Sequence, residues 1–139
     1  MVVVDTSIHV SALIGRTGAS RQVLRLCLER RCQPVMGEKL FTEFEDVMHR
    51  PTVVQASPLT TGEREKLVDA FLSVCTWVPV FYLWRPNLPD EGDNHVVELA
   101  VAAGAAAIVT QNVRDFRRGE LRFPGLAVLT AAEFVTRLR

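Results

Sequence analysis

Val2-Val3-Val4-Asp5-Thr6-Ser7-Ile8 opens the chain with three β-branched residues that stop at an acid. Side chains of this kind are stiff at χ1 and suit an enclosed, pleated backbone, so Val2–Val4 reads as a buried strand. Apolar positions from Ile8 to Leu13 then read as a short helix, closed by the turn Gly15-Arg16-Thr17-Gly18. A buried strand that hands directly to a helix is the unit from which parallel sheets are built.

The rest of the chain repeats that unit. Ser20 is placed to cap a second helix with the stripe Val23, Leu24, Cys27 and Leu28, and Gln33–Met36 reads as a second strand. Leu40, Phe44, Val47 and Met48 mark an amphipathic helix that stops before Pro51. Thr60-x-x-Glu63 is a capping box opening a helix with the stripe Leu67, Val68, Phe71, Leu72 and Cys75. Trp77–Phe81 reads as a third strand and Arg85-Pro-Asn-Leu-Pro89 as a loop. Asp90 or Asp93 starts a helix that runs through Ala103 and ends at Gly104. Ala106–Val109 and Leu126–Leu129 supply a fourth and a fifth strand, and Thr130-x-x-Glu133 is a second capping box ahead of the C-terminal helix. The alternation predicts an α/β fold with a mostly parallel sheet of about five strands, covered on both faces.

The 139 residues suit one domain, 1–139, with no repeat or linker inside it. An apolar fraction of 48% and a charged fraction of 23% allow a real core. Sixteen basic and 16 acidic residues cancel, which counts mildly against a simple electrostatic nucleic-acid binder but not against an enzyme with locally segregated charge. The three cysteines, Cys27, Cys32 and Cys75, are odd in number and form no C-x-x-C pair. They read as small buried hydrophobes in a reducing compartment. No apolar run approaches the ~20 residues of a membrane span, and no basic segment with a cleavage site precedes the first strand. Both features point to the cytoplasm.

Ligand sites of open α/β sheets lie at the carboxyl ends of strands, which directs attention to Asp5 and to Thr110 through Asp115. Asp5 has an alternative use as an Asx turn or helix N-cap. Glu43 lies three residues after Leu40 and four before Val47, beside the apolar face of its helix, whereas Glu45 and Asp46 fall outside. A carboxylate there needs a partner, either an arginine or a cation. Asp93 sits four residues before Val97 and points along a buried face, an orientation that capping does not require. Thr110, Asn112 and Asp115 bring further oxygens, though a polar turn would use the same residues. Carboxylates gathered at one sheet edge repel one another unless a cation sits among them. An all-oxygen set suits Mg²⁺ or Mn²⁺, which activates water and steadies charge on a phosphodiester. Asp5, Glu43 and Asp93 are the predicted catalytic and metal-holding acids. The histidines form no ligand motif: His9 lies on the first helix, His49 suits a helix end, and His95 reads as solvated. Arg114, Arg117, Arg118 and Arg122, with Arg16 as a weaker candidate, suit either phosphates flanking a scissile bond or a solvated, partner-facing surface.

Four stretches, V-V-V-D-T-S at 2–7, G-E-K-L-F-T-E-F-E-D-V-M-H-R-P at 37–51, D-E-G-D-N-H-V-V-E-L-A at 90–100 and I-V-T-Q-N-V-R-D-F at 108–116, resemble in order and spacing the PIN-domain ribonucleases. Among these, the VapC-like toxins of bacterial toxin–antitoxin pairs are the most similar. The resemblance implies a three-layer α/β/α sandwich, Mg²⁺- or Mn²⁺-dependent RNA cleavage, a homodimer and a small antitoxin partner. It assigns Asp5 as the first acid, Glu43 as the helix acid and Asp93 as the acid opening the later helix, with Asp90 as helper. Thr6 or Ser7 supplies the hydroxyl beside the first acid. Where many members read T-x-D at the end of the strand, this chain reads Thr110-Gln111-Asn112. The fourth acid is thus an amide, Asp115 is the residue available to substitute, and divalent-metal affinity is expected to weaken.

Two other readings compete. A phosphatase of the haloacid-dehalogenase type needs an Asp two residues after the first, where this chain has Ser7, and a late Lys, where it has only Lys39 and Lys66. A receiver domain lacks its acidic pair and its Lys in the same way. The other alternative is a PIN-like module that binds RNA or protein without cleaving, favoured by Asn112.

Overall fold

The computed structural model describes residues 1–15, 18–80, 94–117 and 125–138, with the side chain of Arg117 excepted. In chain order the elements are β1 (Val2–Val4), α1 (Thr6–Ile14), α2 (Gly18–Leu28), β2 (Val35–Met36), α3 (Glu38–Met48), α4 (Pro51–Ala56), α5 (Thr61–Val74), β3 (Thr76–Trp77), α6 (Asn94–Ala103), β4 (Ala107–Val109), α7 (Val113–Arg117), β5 (Ala127–Leu129) and α8 (Ala131–Leu138).

Every strand pairing among the described residues is parallel. One ladder has the order β1-β4-β5 with Val3 opposite Ile108 and Ile108 opposite Val128; a second pairs β2 with β3. A single bridge from Val2 to Pro34, with Val2 N–H donating to the Gln33 carbonyl at 2.9 Å, joins the two. The combined order is β3-β2-β1-β4-β5, about the expected five strands; β1 matches its apolar run and the others are shorter than theirs. Successive strand residues point to opposite faces, yet all of β1 and β4 is buried. Both faces are therefore covered, as a parallel sheet requires. Helix α6 packs across β1, β2 and β4, while α2 packs between α1, α5 and α8.

The local signals explain most element ends. Thr60 and Glu63 exchange both bonds of the capping box that opens α5, and Thr130 and Glu133 do the same for α8. Gly15 and Gly104 take positive φ, 74° and 65°, after α1 and α6, a conformation that costs a side-chain-bearing residue about 1 kcal/mol or more. Two expectations need correction. Ser20 does not cap α2: the helix begins two residues earlier at Gly18, and Ser20 is buried, accepting from Gln111 Nε2 at 3.2 Å. The helix α3 does stop before Pro51, as expected, and Pro51 has a second role. Its fixed φ and missing N–H suit a first helical position, and it opens α4. The third strand is Thr76–Trp77, not Trp77–Phe81: β2 offers only Val35 and Met36 as ladder partners, and residues 78–80 are not strand. The expected start of α6 at Asp90 or Asp93, Phe81 and the loop 85–89 lie outside the described residues.

A second core holds α3 against α1. Leu13, Phe44, Val47, Met48 and Val53 cluster there, and the His9 ring stands edge-on to Phe44 and Phe71 at centroid distances of 4.7 and 4.5 Å. Burial pushes the His9 pKa down to about 3, so the ring is a neutral packing element. All three cysteines are free thiols, with Cys27 Sγ 3.4 Å from Cys32 Sγ.

Candidate active site

β1 and β4 are neighbours and parallel, so Asp5 and Thr110, the residues after them, emerge side by side at one edge of the sheet. Asp5 N–H extends the ladder by donating to the Val109 carbonyl at 2.9 Å. Asp5 occupies the N-cap position of α1, but its carboxylate makes no capping hydrogen bond. Instead Ser7 Oγ and Thr110 Oγ1 both donate to Asp5 Oδ2, each at 2.8 Å. Each hydroxyl has one proton, so both protons are spent on this oxygen. The 3.3 Å approach between the two hydroxyls is then a contact rather than a bond. Their lone pairs accept from the turn that leaves β4: Gln111 N–H donates to Ser7 Oγ and Asn112 N–H to Thr110 Oγ1, each at 3.0 Å. The result is a closed polar network that fixes one acid on a rigid strand end.

Glu43 reaches the same place from α3. Phe44 and Val47 bury the apolar side of that helix and leave Glu43 half-buried on its flank, with Glu45 and Asp46 exposed beyond it. Thr6 Oγ1 donates to Glu43 Oε1 at 2.5 Å, and His95 Nε2 bonds Glu43 Oε2 at 2.6 Å. His95 is therefore not a solvated residue; its side chain is 13% exposed.

The two acids differ electrostatically. Burial raises the pKa of Asp5, and the negative charge of Glu43 adds to that, against the hydroxyl bonds from Thr110 and Ser7. Burial also works to raise Glu43, but the hydrogen bonds from His95 and Thr6 outweigh it and hold the carboxyl below its ordinary value. The surroundings thus push the two carboxyls in opposite directions.

An open cleft of about 640 Å³ runs past both acids. Gln111 and Asn112 line it from the turn after β4, and Arg50 and Thr52 from the junction of α3 and α4; Val10, Val47 and Val53 are its apolar lining. Arg50 and Thr52 carried no signal in the sequence beyond their place around a proline.

The remaining predicted site residues are distributed as follows. Asp115 is half-buried in the first turn of α7, one turn beyond Asn112, and is not among the described residues lining the cleft. Arg114 is exposed on α7. Asp90, Asp93, Arg16, Arg118 and Arg122 and the side chain of Arg117 lie outside the described residues. Among the described residues no three histidine, cysteine or acidic side chains converge as a metal cluster. Nor is any helix among them long and apolar enough to cross a membrane.

No functionally curated protein matches the sequence. Among solved structures, the crystal structure of VapBC2 from Rickettsia felis bound to a DNA fragment from their promoter contains a chain of the same fold. The TM-score is 0.61 at 18% identity, covering 94% of this chain and 98% of that one. The family model described as PIN domain matches residues 1–114, a span from the first strand through Thr110 and Asn112. With the acid-bearing strand end, the helix acid and the hydroxyl at the end of β4 all inside that match, the chain belongs to the PIN-domain family.

Proposed function

We propose that the protein is an endoribonuclease that hydrolyses RNA phosphodiester bonds with Mg²⁺ or Mn²⁺, and that it acts as the toxin of a toxin–antitoxin pair. The observation that carries this reading is the pairing of Asp5 and Glu43. Two carboxylates from separate elements line one open cleft; among the described residues neither makes a capping hydrogen bond, and the arginine beside them, Arg50, acts on Glu43 only through its charge while its close ion pair is with Asp46. Their donor set is all oxygen, which fits a hard divalent cation. The upward push of Glu43 on Asp5 is the repulsion that such a cation relieves.

In this reading Asp5, Glu43 and Asp93 hold the metal, with Asp90 and Asp115 as helpers and Asn112 as a neutral oxygen donor. When bound, the ion lowers the pKa of water and offsets charge on the phosphodiester. Thr110 and Ser7 fix Asp5 Oδ2, and Thr6 fixes Glu43 Oε1. The cleft from Asn112 to Arg50 accepts single-stranded RNA, its valines against a base and Arg50 against a backbone phosphate. Arg16, Arg114, Arg117 and Arg118 are further phosphate contacts. A small antitoxin partner, a homodimer and a cytoplasmic location belong to the same proposal. Family membership and the structural likeness to VapBC2 on promoter DNA support it.

Asn112 favours a second reading, a module that binds RNA without cutting it. Incubation of structured RNA with Mg²⁺, with Mn²⁺ and with EDTA separates the two. Metal-dependent cleavage that disappears in Asp5→Asn is expected. Equal cleavage by wild type and Asp5→Asn would falsify the nuclease reading, and RNA binding without cleavage in any metal would favour the module.

A further inference from the structure

We infer that His95 is a positioning residue for Glu43 and that it sets the affinity of the site for a divalent cation. The inference rests on the proposed metal-dependent reading and extends it to a residue outside the acidic set.

Three observations carry it. His95 Nε2 lies 2.6 Å from Glu43 Oε2, and the two side chains are 13% and 31% exposed. A carboxylate can only accept, so the shared proton sits on Nε2. The other ring nitrogen, Nδ1, is buried with no hydrogen-bond partner among the described residues, so the interaction with Glu43 is the polar contact that orients this ring. Finally, Thr6 Oγ1 holds the opposite oxygen, Oε1, at 2.5 Å. Glu43 is therefore gripped at both oxygens by donors from two elements, α1 and α6. Its rotamer is fixed, and each oxygen keeps a lone pair for another partner. Carboxylates that ligate metals depend on such support, and losing it costs roughly ten- to a hundredfold in metal affinity or activity.

The chain spacing explains why this is possible. Helix α6 packs against α3 as well as against the sheet, so its first turn reaches the flank of α3 on which Glu43 sits. The sequence separation of His95 and Glu43 is 52 residues, and no local pattern announces the contact.

The test is calorimetric titration of the full-length protein with MnCl₂, with folding checked by circular dichroism. His95→Leu keeps bulk and removes the donor, His95→Ala removes both, and His95→Gln keeps an N–H donor. The expected result is Mn²⁺ binding weakened roughly ten- to a hundredfold in the folded Leu or Ala variant and restored to within a few-fold in His95→Gln. Wild-type affinity in His95→Leu or His95→Ala would overturn the inference. So would failure of His95→Gln to restore binding, or unfolding of both donor-less variants, since His95 would then act as a direct ligand or as a packing residue. If wild type itself binds no Mn²⁺ and Asp5→Asn changes nothing, the metal-dependent reading fails first and takes this inference with it.

Discussion

Thr110 Oγ1 donates to Asp5 Oδ2 across 2.8 Å and so continues by side chain the pairing of β4 with β1 just where their ladder ends. The same oxygen accepts from Asn112 N–H, so one hydroxyl holds both the acid and the turn beside it. Thr110→Val keeps the shape and removes the hydroxyl. Losing a hydrogen bond to a buried charged group costs about 1.5–3 kcal/mol, and a lower urea midpoint equivalent to that loss of unfolding free energy is expected. The bond also works to lower the pKa of Asp5, so the acid limb of cleavage should move to higher pH. A valine variant with an unchanged midpoint and an unchanged pH profile would show that Ser7 alone suffices.

Asp5→Asn should abolish cleavage without harming the fold. Both hydroxyls converge on Oδ2, so the single amide oxygen of asparagine can accept both bonds. Asp5 has a folded pKa raised above 3.8, so the native state binds its proton more tightly than the unfolded chain does. Its ionised form therefore opposes folding above the folded pKa, and that opposition fades as pH falls toward 3.8. In metal-free buffer at neutral pH the variant is expected to melt at or above the wild-type temperature. A drop equivalent to about 2 kcal/mol or more would mean that the charge itself is structural.

Glu43 has the opposite sign. Its folded pKa lies below 4.5, so its contribution to stability is present above that value and is lost as pH falls through the folded pKa. Glu43→Gln should remove that part of the acid dependence. Glutamine also presents an NH₂ to either Thr6 or His95, both of which donate, so neutral-pH stability should fall as well. Urea midpoints measured across the acid range for both proteins check this; parallel curves would contradict it.

The sequence disclosed what depends on neighbours along the chain. β-branched runs marked β1 and β4, and Thr-x-x-Glu marked two helix starts, because those interactions close within four residues. The flank position of Glu43 followed from helical period. Ser20 misled because a buried serine inside a helix and a capping serine before one differ only in where the preceding turn ends. Pro51 marked the end of α3 but not the start of α4, because the same ring that stops one helix favours the first turn of the next. His95 was invisible as a partner because its contact is made by the packing of α6 on α3. Arg50 joined the cleft for a similar reason, through the bend between α3 and α4.

Two glycines give opposite expectations from one substitution. Gly104 has φ 65° and open space where a methyl group would project, so Gly104→Ala carries only the left-handed backbone cost of about 1 kcal/mol. Gly62 lies in the first turn of α5, also with open space. Alanine there restricts the unfolded chain and should stabilise by about 0.4–1 kcal/mol. Denaturant unfolding of the two single variants should therefore move in opposite directions. Movement of both in the same direction would contradict the assigned backbone conformations.

Arg50 tests the path of the substrate. It pairs with Asp46 through Nη2 at 2.8 Å, but both side chains are more than half exposed. An exposed pair spaced i, i+4 contributes only about 0.3–0.5 kcal/mol, so Arg50→Ala should barely change stability. Its place in the cleft lining is where a phosphate leaving Asp5 and Glu43 would pass. Each phosphate contact on a single strand adds about 0.7 to the slope of log affinity against log salt. The variant is expected to raise KM several-fold, leave kcat nearly intact and flatten the salt slope by about that amount. A loss confined to kcat would instead place Arg50 in the chemical step, and an unchanged KM and salt slope would send the RNA along another face.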